Sequence, residues 1–363
     1  MRAAISIESF RPGPGGVEAA AFALASELGR RALGLTVLCR ESVGEPPPGV
    51  RVERLGGPAF WQPLRVLEFS RRTAAAAARG GFDVVQGYSR TRRQTVYRAG
   101  GGSHAAYMER VYARPALRRL SPRHAVILAI EGAAFADPTQ TVLCNSRFAA
   151  DEIARRHGVP AARLEVIYNG VDLERFHPRL REAALPRLRA ELGADGPIAL
   201  FAGSGFARKG LDRAIAGLAR AGVKAQLAVA GSGDARPFRA QAESLGVCER
   251  VRFLGLRPDL PAVCAAADLF VLPTRYDPFA NACLEAMAAG VPVATTLDNG
   301  AAELVEPGVS GFLCADDFSS AFRALDDPAR LREMGGAARR VAERHTWAAH
   351  ADAVWALWER RRR

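Results

Sequence analysis

Residues 268–313 read DLFVLPTRYDPFANACLEAMAAGVPVATTLDNGAAELVEPGVSGFL. The apolar run at 269–272 is short and ends at Pro273, which predicts a buried strand. Residues 273–280 then form a loop, 281–289 a helix and 291–295 a second buried strand, before a Gly-containing loop. Strand, helix and strand at this spacing make a parallel unit, and parallel sheets are covered by helices on both faces. In an open parallel sheet, ligands sit beyond the carboxyl ends of the strands. The loop 274–280 therefore lies at a ligand crevice. The amides of Asn281 and Ala282 stand at a helix start, a place suited to an anion. Glu285 lies one turn into that helix, where a carboxylate can accept bonds from the paired hydroxyls of a ribose. Asp277 precedes it on the loop.

The same alternation runs through the rest of the chain. Strands are predicted at 3–7, 35–39, 50–55, 84–87, 141–145 and 164–168, and helices at 17–31, 64–78 and 147–157, the last capped by Ser146. A polar, Pro-bearing stretch at 177–185 reads as a linker. Beyond it come strands at 198–202, 226–230 and 251–255, helices at 208–218 and 261–267, and a terminal helix at 347–363. The expectation is an α/β chain of two domains, 1–176 and 177–346. Two loops carry phosphate-binding features. SFRPGPGG (9–16) opens a helix with Gly15 and Gly16, near Glu18, but lacks the GxGxxG of a dinucleotide site. GSGFA (203–207) leads into Arg208-Lys209-Gly210. This is no Walker A loop, yet two cations at a helix start can hold a diphosphate and stabilise it as a leaving group. Lys209 is one of only two lysines, with Lys224.

The 363 residues suffice for two full cores. No apolar run approaches the ~20 residues of a membrane span. The chain enters a strand pattern at once, so no signal peptide is expected. Cys39, Cys144, Cys248, Cys264, Cys283 and Cys314 lack metal spacing and read as reduced residues of a cytosolic protein. No Asp-x-Asp pair points to a metal. The net charge of +12 is uneven: residues 1–175 hold 25 Arg against 16 acids. Within 90–123, Arg90, Arg92, Arg93, Arg98, Arg110, Arg114, Arg118, Arg119 and Arg123 face one acid, Glu109, with Tyr97, Tyr107, Tyr112 and Leu117 interleaved. Such a surface suits anionic lipid headgroups, or nucleic-acid phosphates. No nucleic-acid module motif accompanies it, which argues against the second.

Taken together, TRYDPFANACLEAM with its Asp277 and Glu285, GSGFARKGLDRAI, and NSRFAADEIARRHGV…VIYNGVDLERFHP resemble the retaining glycosyltransferases of the GT-B fold, family 4. The family signature is an acid, seven residues and Glu. Here the first acid is Asp277, where many members have Glu. GGGSHAAYMERVY (100–112) is similar to bacterial lipopolysaccharide core glucosyltransferases. The resemblance implies two Rossmann-like doubly wound domains facing a cleft, with the terminal helix crossing back to the first domain. It implies a nucleotide-sugar donor, UDP-glucose, whose hexose passes with retention to a lipid-linked saccharide at the inner face of the cytoplasmic membrane. It implies no metal or other cofactor. Arg208 and Lys209 would hold the β-phosphate, and His104 would lie beside sugar and phosphate. Asp277 with Phe279, Ala280, Asn281 and Ala282 would orient the sugar, Glu285 would hold the ribose, and the backbone at Leu256 the base. Gly15 and Gly16 would approach the donor phosphates or the acceptor. The sequence leaves open another donor, such as GDP-mannose, and a basic nucleic-acid-binding protein of a different class.

Overall fold

The computed structural model describes the chain except for Pro14, Gly15, Ala32, Leu33, Pro58, Ala59, Ala113 and Arg363. It divides into two compact units: Met1–Gly170 with Trp347–Arg363, and Val171–Thr346. The first holds strands β1 (Ala3–Phe10), β2 (Leu35–Ser42), β3 (Val50–Arg54), β4 (Val84–Gly87), β5 (Val96–Arg98), β6 (Thr141–Cys144) and β7 (Leu164–Val166). The second holds β8 (Ile198–Ala202), β9 (Gln226–Ala230), β10 (Val251–Gly255), β11 (Leu269–Leu272), β12 (Val293–Thr295) and β13 (Gly311–Leu313).

The sheets run β3-β2-β1-β4-β5-β6-β7 and β10-β9-β8-β11-β12-β13, with parallel pairing between neighbours. Both are the doubly wound Rossmann order, in which the chain reverses direction across the sheet after its third strand. The reversal opens a switch point between β1 and β4 in one unit and between β8 and β11 in the other. Strands β8 and β11 are buried at every position. That is why they read as unbroken apolar runs rather than alternating ones.

Three differences from the sequence reading have plain causes. First, β5 was not foreseen in the basic segment. Its Arg98 is buried, donating to Asn169 Oδ1 at 2.7 Å with its guanidinium 4.7 Å from the Tyr88 ring, so a charged residue occupies a core strand. Second, the stretch expected as a linker belongs to the second unit, with a helix at Arg181–Leu192 that buries Leu188 and Leu192. The units part at Gly170/Val171 because Val171 pairs with Thr346 and Phe176 is buried. Third, Arg208 and Lys209 do not open a long helix. They close a four-residue turn, Phe206–Lys209, and Gly210 at φ +77° separates it from the helix Leu211–Ala221. A Cβ on Gly210 would lie 1.9 Å from Pro273 O, so only glycine fits.

The helix Trp347–Arg361 supplies Ala351, Val354, Leu357 and Trp358 to the same core cluster as β1, β2 and the helix Gly16–Gly29. Trp358 is fully buried and donates Nε1–H to Gln86 Oε1 at 2.8 Å. No disulfide joins the cysteines: Cys39, Cys144, Cys264 and Cys283 are buried thiols and Cys248 is exposed.

Candidate active site

The switch point between β8 and β11 brings together the two loops singled out in the sequence. Arg208 and Lys209 follow β8, and Asp277 follows β11. Lys209 Nζ donates to Asp277 Oδ2, and Arg208 Nη1 donates to the same oxygen at 3.2 Å and to Tyr276 O at 3.1 Å. The Asp277 backbone is held on both sides, donating to Asp298 O and accepting from Gly300 N, each at 2.9 Å. Burial works against charge on the Asp277 carboxyl, but Lys209 and Arg208 outweigh it and hold the group below its ordinary range. The arrangement is two cations on one fixed carboxylate at the mouth of a parallel sheet.

Glu285 lies one turn into the helix Asn281–Ala288. Its carboxylate makes no hydrogen bond or ion pair among the described residues. Loss of surrounding water pushes its pKa up to about 7, against the pull of Arg175 and Lys209. A carboxyl so placed can accept hydrogen bonds from paired hydroxyls.

The amides expected to face a ligand are partly engaged. Ala280 N–H donates to Asn299 Oδ1 at 3.1 Å, and Phe279 N–H to Asp277 Oδ1 at 3.3 Å. The Ala280 amide is therefore an anchor for the loop in this structure, not a free donor. Asn299, which the sequence reading missed, is buried at 1 % exposure. It also accepts from Ala301 N–H and donates to Thr295 Oγ1 and Cys283 Sγ. It ties the loop after β12 to the loop after β11. Its signal was an Asn before Gly at the start of a helical turn, the usual N-cap position. Phe279 is buried, whereas Asn281 and Ala282 are partly exposed.

Leu256 stands 72 % exposed just past β10, after Gly255 at φ +69°. The next residue, Arg257, is fixed by Asp259 at 2.7 and 2.8 Å and Glu191 at 2.5 Å, so its guanidinium anchors the turn that presents Leu256.

In the first unit, Gly16 begins its helix at φ +82°, while Gly15 lies outside the described residues. His104 starts the helix His104–Val111, whose N-cap is Ser103. Its backbone N–H donates to Glu131 Oε2 at 2.9 Å and its Nε2 faces His124 Nδ1 at 2.8 Å. Burial, then Arg90, His124 and Arg123, press its pKa down to about 3. The imidazole is thus neutral, with one ring nitrogen engaged. Of the basic segment, Arg90 is partly exposed and paired with buried Glu131 at 3.0 Å, and Arg98 is in the core, so Arg98 is not a surface charge and that of Arg90 is already compensated. Arg92, Arg93, Arg114, Arg118, Arg119 and Arg123 are exposed, and so are Leu117 and Leu120. Among the described residues no helix is long and apolar enough to cross a membrane, and no group of three or more His, Cys, Asp or Glu could hold a metal.

Comparison with known proteins follows the same division. Residues 14–175 match the family model described as Glycosyltransferase Family 4, and residues 186–340 the model Glycosyl transferases group 1. A D-inositol 3-phosphate glycosyltransferase of Rhodococcus opacus is 33% identical over 233 residues, 59% of this chain; the chain spans about half, 51%, of that relative's length. The crystal structure of WaaG, a glycosyltransferase involved in lipopolysaccharide biosynthesis, superposes with a TM-score of 0.82 at 23% identity, covering 98% of this chain and 99% of that one. Anabaena Alr3699/HepE in complex with UDP-glucose gives 0.75 at 22% identity over 99% and 100% of the two chains. The first half of the chain thus matches the Family 4 glycosyltransferases and the second half the group 1 glycosyltransferases, and its two parallel-sheet units have their GT-B fold.

Proposed function

We propose that the protein transfers a hexose from a nucleotide sugar, UDP-glucose, to a hydroxyl of a lipid-linked saccharide such as a lipopolysaccharide core heptose. The observation that carries this reading is the meeting of Arg208 and Lys209 with Asp277 at the second switch point, with Glu285 one turn into the helix that follows. As the bond between the sugar and the β-phosphate breaks, negative charge grows on the departing diphosphate. Arg208 and Lys209 neutralise it from positions already fixed before the bond breaks. These cations stand where other enzymes use a metal ion, so the reaction needs none.

Asp277 accepts hydroxyls of the sugar, with Phe279, Asn281 and Ala282 bordering it. Glu285 accepts the ribose hydroxyls, and the backbone at Leu256 borders the base. In the first unit, neutral His104 has Nδ1 left for a sugar or phosphate ligand. Attack occurs on the face the diphosphate leaves, so the anomeric configuration is retained without a protein nucleophile. In the first unit, Gly16 at the helix start is suited to a phosphate or to the acceptor. Arg114, Arg118, Arg119 and Arg123, with Leu117 and Leu120, form a basic and apolar surface that holds the enzyme on an anionic membrane. The UDP-glucose complex of HepE supports the donor. The names of the curated relatives favour a second reading for the acceptor, a phosphorylated cyclitol in place of a saccharide.

A thermal-shift screen with UDP, GDP, ADP and their sugar conjugates tests the donor site. The expected result is a UDP-specific shift, absent in Lys209→Ala and Glu285→Ala. No shift with any nucleotide in the folded protein would overturn the reading. Product anomer, activity in chelator, and sedimentation with anionic vesicles test retention, metal independence and membrane contact in turn. Leu117→Asp with Leu120→Asp should release the protein from vesicles.

A further inference from the structure

Arg275 lies between two site loops and has no role in the scheme above. Its backbone N–H donates to Arg208 O at 2.9 Å, and the Thr274 hydroxyl donates to the same oxygen at 3.2 Å. Its guanidinium Nη1 donates to Ala207 O at 2.5 Å and to Asp212 Oδ1 at 2.9 Å, while Nη2 donates to Asp212 Oδ2 at 2.6 Å. One residue therefore grips the Arg208–Lys209 turn by two carbonyls and braces it against the first turn of the helix Leu211–Ala221.

The turn needs such a brace. Four helical residues cannot hold their own geometry, because a first turn fixes several dihedrals for very few internal bonds. Gly205 at φ +77° precedes it and Gly210 at φ +77° follows, so both ends are conformationally permissive. The direction in which Arg208 and Lys209 point is set from outside, by the loop after β11. The Arg275–Asp212 pair is bidentate, the geometry that fixes orientation as well as charge.

We propose that Arg275, braced by Asp212, is a positioning residue for the diphosphate site: it fixes the attitude of Arg208 and Lys209 without touching the donor itself. This rests on the reading of Arg208 and Lys209 as the diphosphate site. The alternative is a partly exposed ion pair that steadies the fold and nothing more.

The test compares wild type with Arg275→Ala, Arg275→Lys and Asp212→Asn, in affinity for UDP, affinity for uridine, and steady-state kinetics with UDP-glucose. Arg275→Ala is expected to weaken UDP at least tenfold, to lower kcat/KM for the donor by a similar factor, and to leave uridine and the acceptor KM within twofold. Arg275→Lys, which keeps the charge but cannot make the planar two-nitrogen fork to Asp212, should fall between. Asp212→Asn keeps the guanidinium and should give a smaller loss with the same selectivity for UDP over uridine; it carries the test if Arg275→Ala does not fold. Equal weakening of uridine and UDP, or unchanged UDP affinity in the folded variants, overturns the positioning role alone. A wild type that binds none of UDP, GDP and ADP overturns the diphosphate site and this inference with it.

Discussion

Replacing Asp277 by Asn separates the two jobs of this carboxylate. In the ligand-free protein it neutralises two cations: Lys209 and Asp277 are each only 11 % exposed at the side chain, and Arg208 is 28 % exposed. Removing one partner from a buried ion pair costs about 3–5 kcal/mol, because the remaining charge is left uncompensated. Arg208 keeps some water, so the lower end, about 3 kcal/mol, applies here. In a unit of this size each kcal/mol lowers the melting temperature by about 2–4 °C, so Asp277→Asn should melt roughly 6–12 °C below wild type. A bound diphosphate restores negative charge at the same two cations. Saturating UDP should therefore raise the melting temperature of the variant more than that of wild type, and UDP should bind at least as tightly. Sugar transfer should nonetheless fall, since the amide oxygen that replaces the carboxylate is a neutral and weaker acceptor for the sugar hydroxyls. The assay is differential scanning fluorimetry of both proteins across a UDP titration, followed by turnover with UDP-glucose. A UDP shift in Asp277→Asn equal to or smaller than that of wild type would refute the idea that carboxylate and diphosphate occupy the same cations.

Glu285 gives a pH test. Its folded pKa of about 7 lies above the ordinary 4.5, so the folded state holds the proton more firmly and this group's stabilisation declines as pH rises from 4.5 to 7. Glu285→Gln should stabilise the ligand-free protein at pH 8 by up to about 3 kcal/mol, with the difference vanishing near pH 4.5, as read by chemical denaturation. His350 has the opposite sense. Burial holds its pKa at about 4 against an ordinary 6.5, so the first unit loses stability as pH falls from 6.5 to 4, and His350→Gln should flatten that limb of the melting-temperature profile. Gly210→Ala should abolish UDP binding and lower the second unit's stability by at least ~2 kcal/mol in denaturant titrations, since strain at positive φ adds to the clash with Pro273 O. Trp358→Ala should cost the first unit ~3–5 kcal/mol and leave Gln86 without its donor, seen as a lower first transition in calorimetry.

What could be read from the sequence was local. The strands β8 and β11 and the helix between Ala280 and Ala289 announce themselves because apolar runs meet Pro and Gly at their ends. The pairing of Arg208 and Lys209 with Asp277 was not read from the sequence; it rests on the strand order of the folded sheet, in which both loops leave adjacent parallel strands. Contacts set by burial were not legible. Val-Tyr-Arg gives no strand signal for β5 until Arg98 is known to be capped by Asn169 and Tyr88. Asn299 sits far along the chain from the Ala280 amide it binds, and no periodicity links the two. The Arg275 fork was hidden for the same reason. Its partners Ala207 and Asp212 lie in the turn Phe206–Lys209 and the helix after it, more than sixty residues earlier, and a lone Arg in a basic chain draws no notice.

The helix Trp347–Arg361 has a consequence for how the protein is made. Ala351, Val354, Leu357 and Trp358 belong to the core of the first unit, yet the whole second unit is translated before them. A ribosome adding about 5–20 residues per second needs roughly 10–40 s to pass from Gly170 to that helix. During this time the β1–β2–β4 face that receives Trp358 stays uncovered, while the second unit can already close its own core. Birth order and folding order are therefore reversed: the unit that emerges first is completed last, and its open apolar face is where a chaperone would be needed.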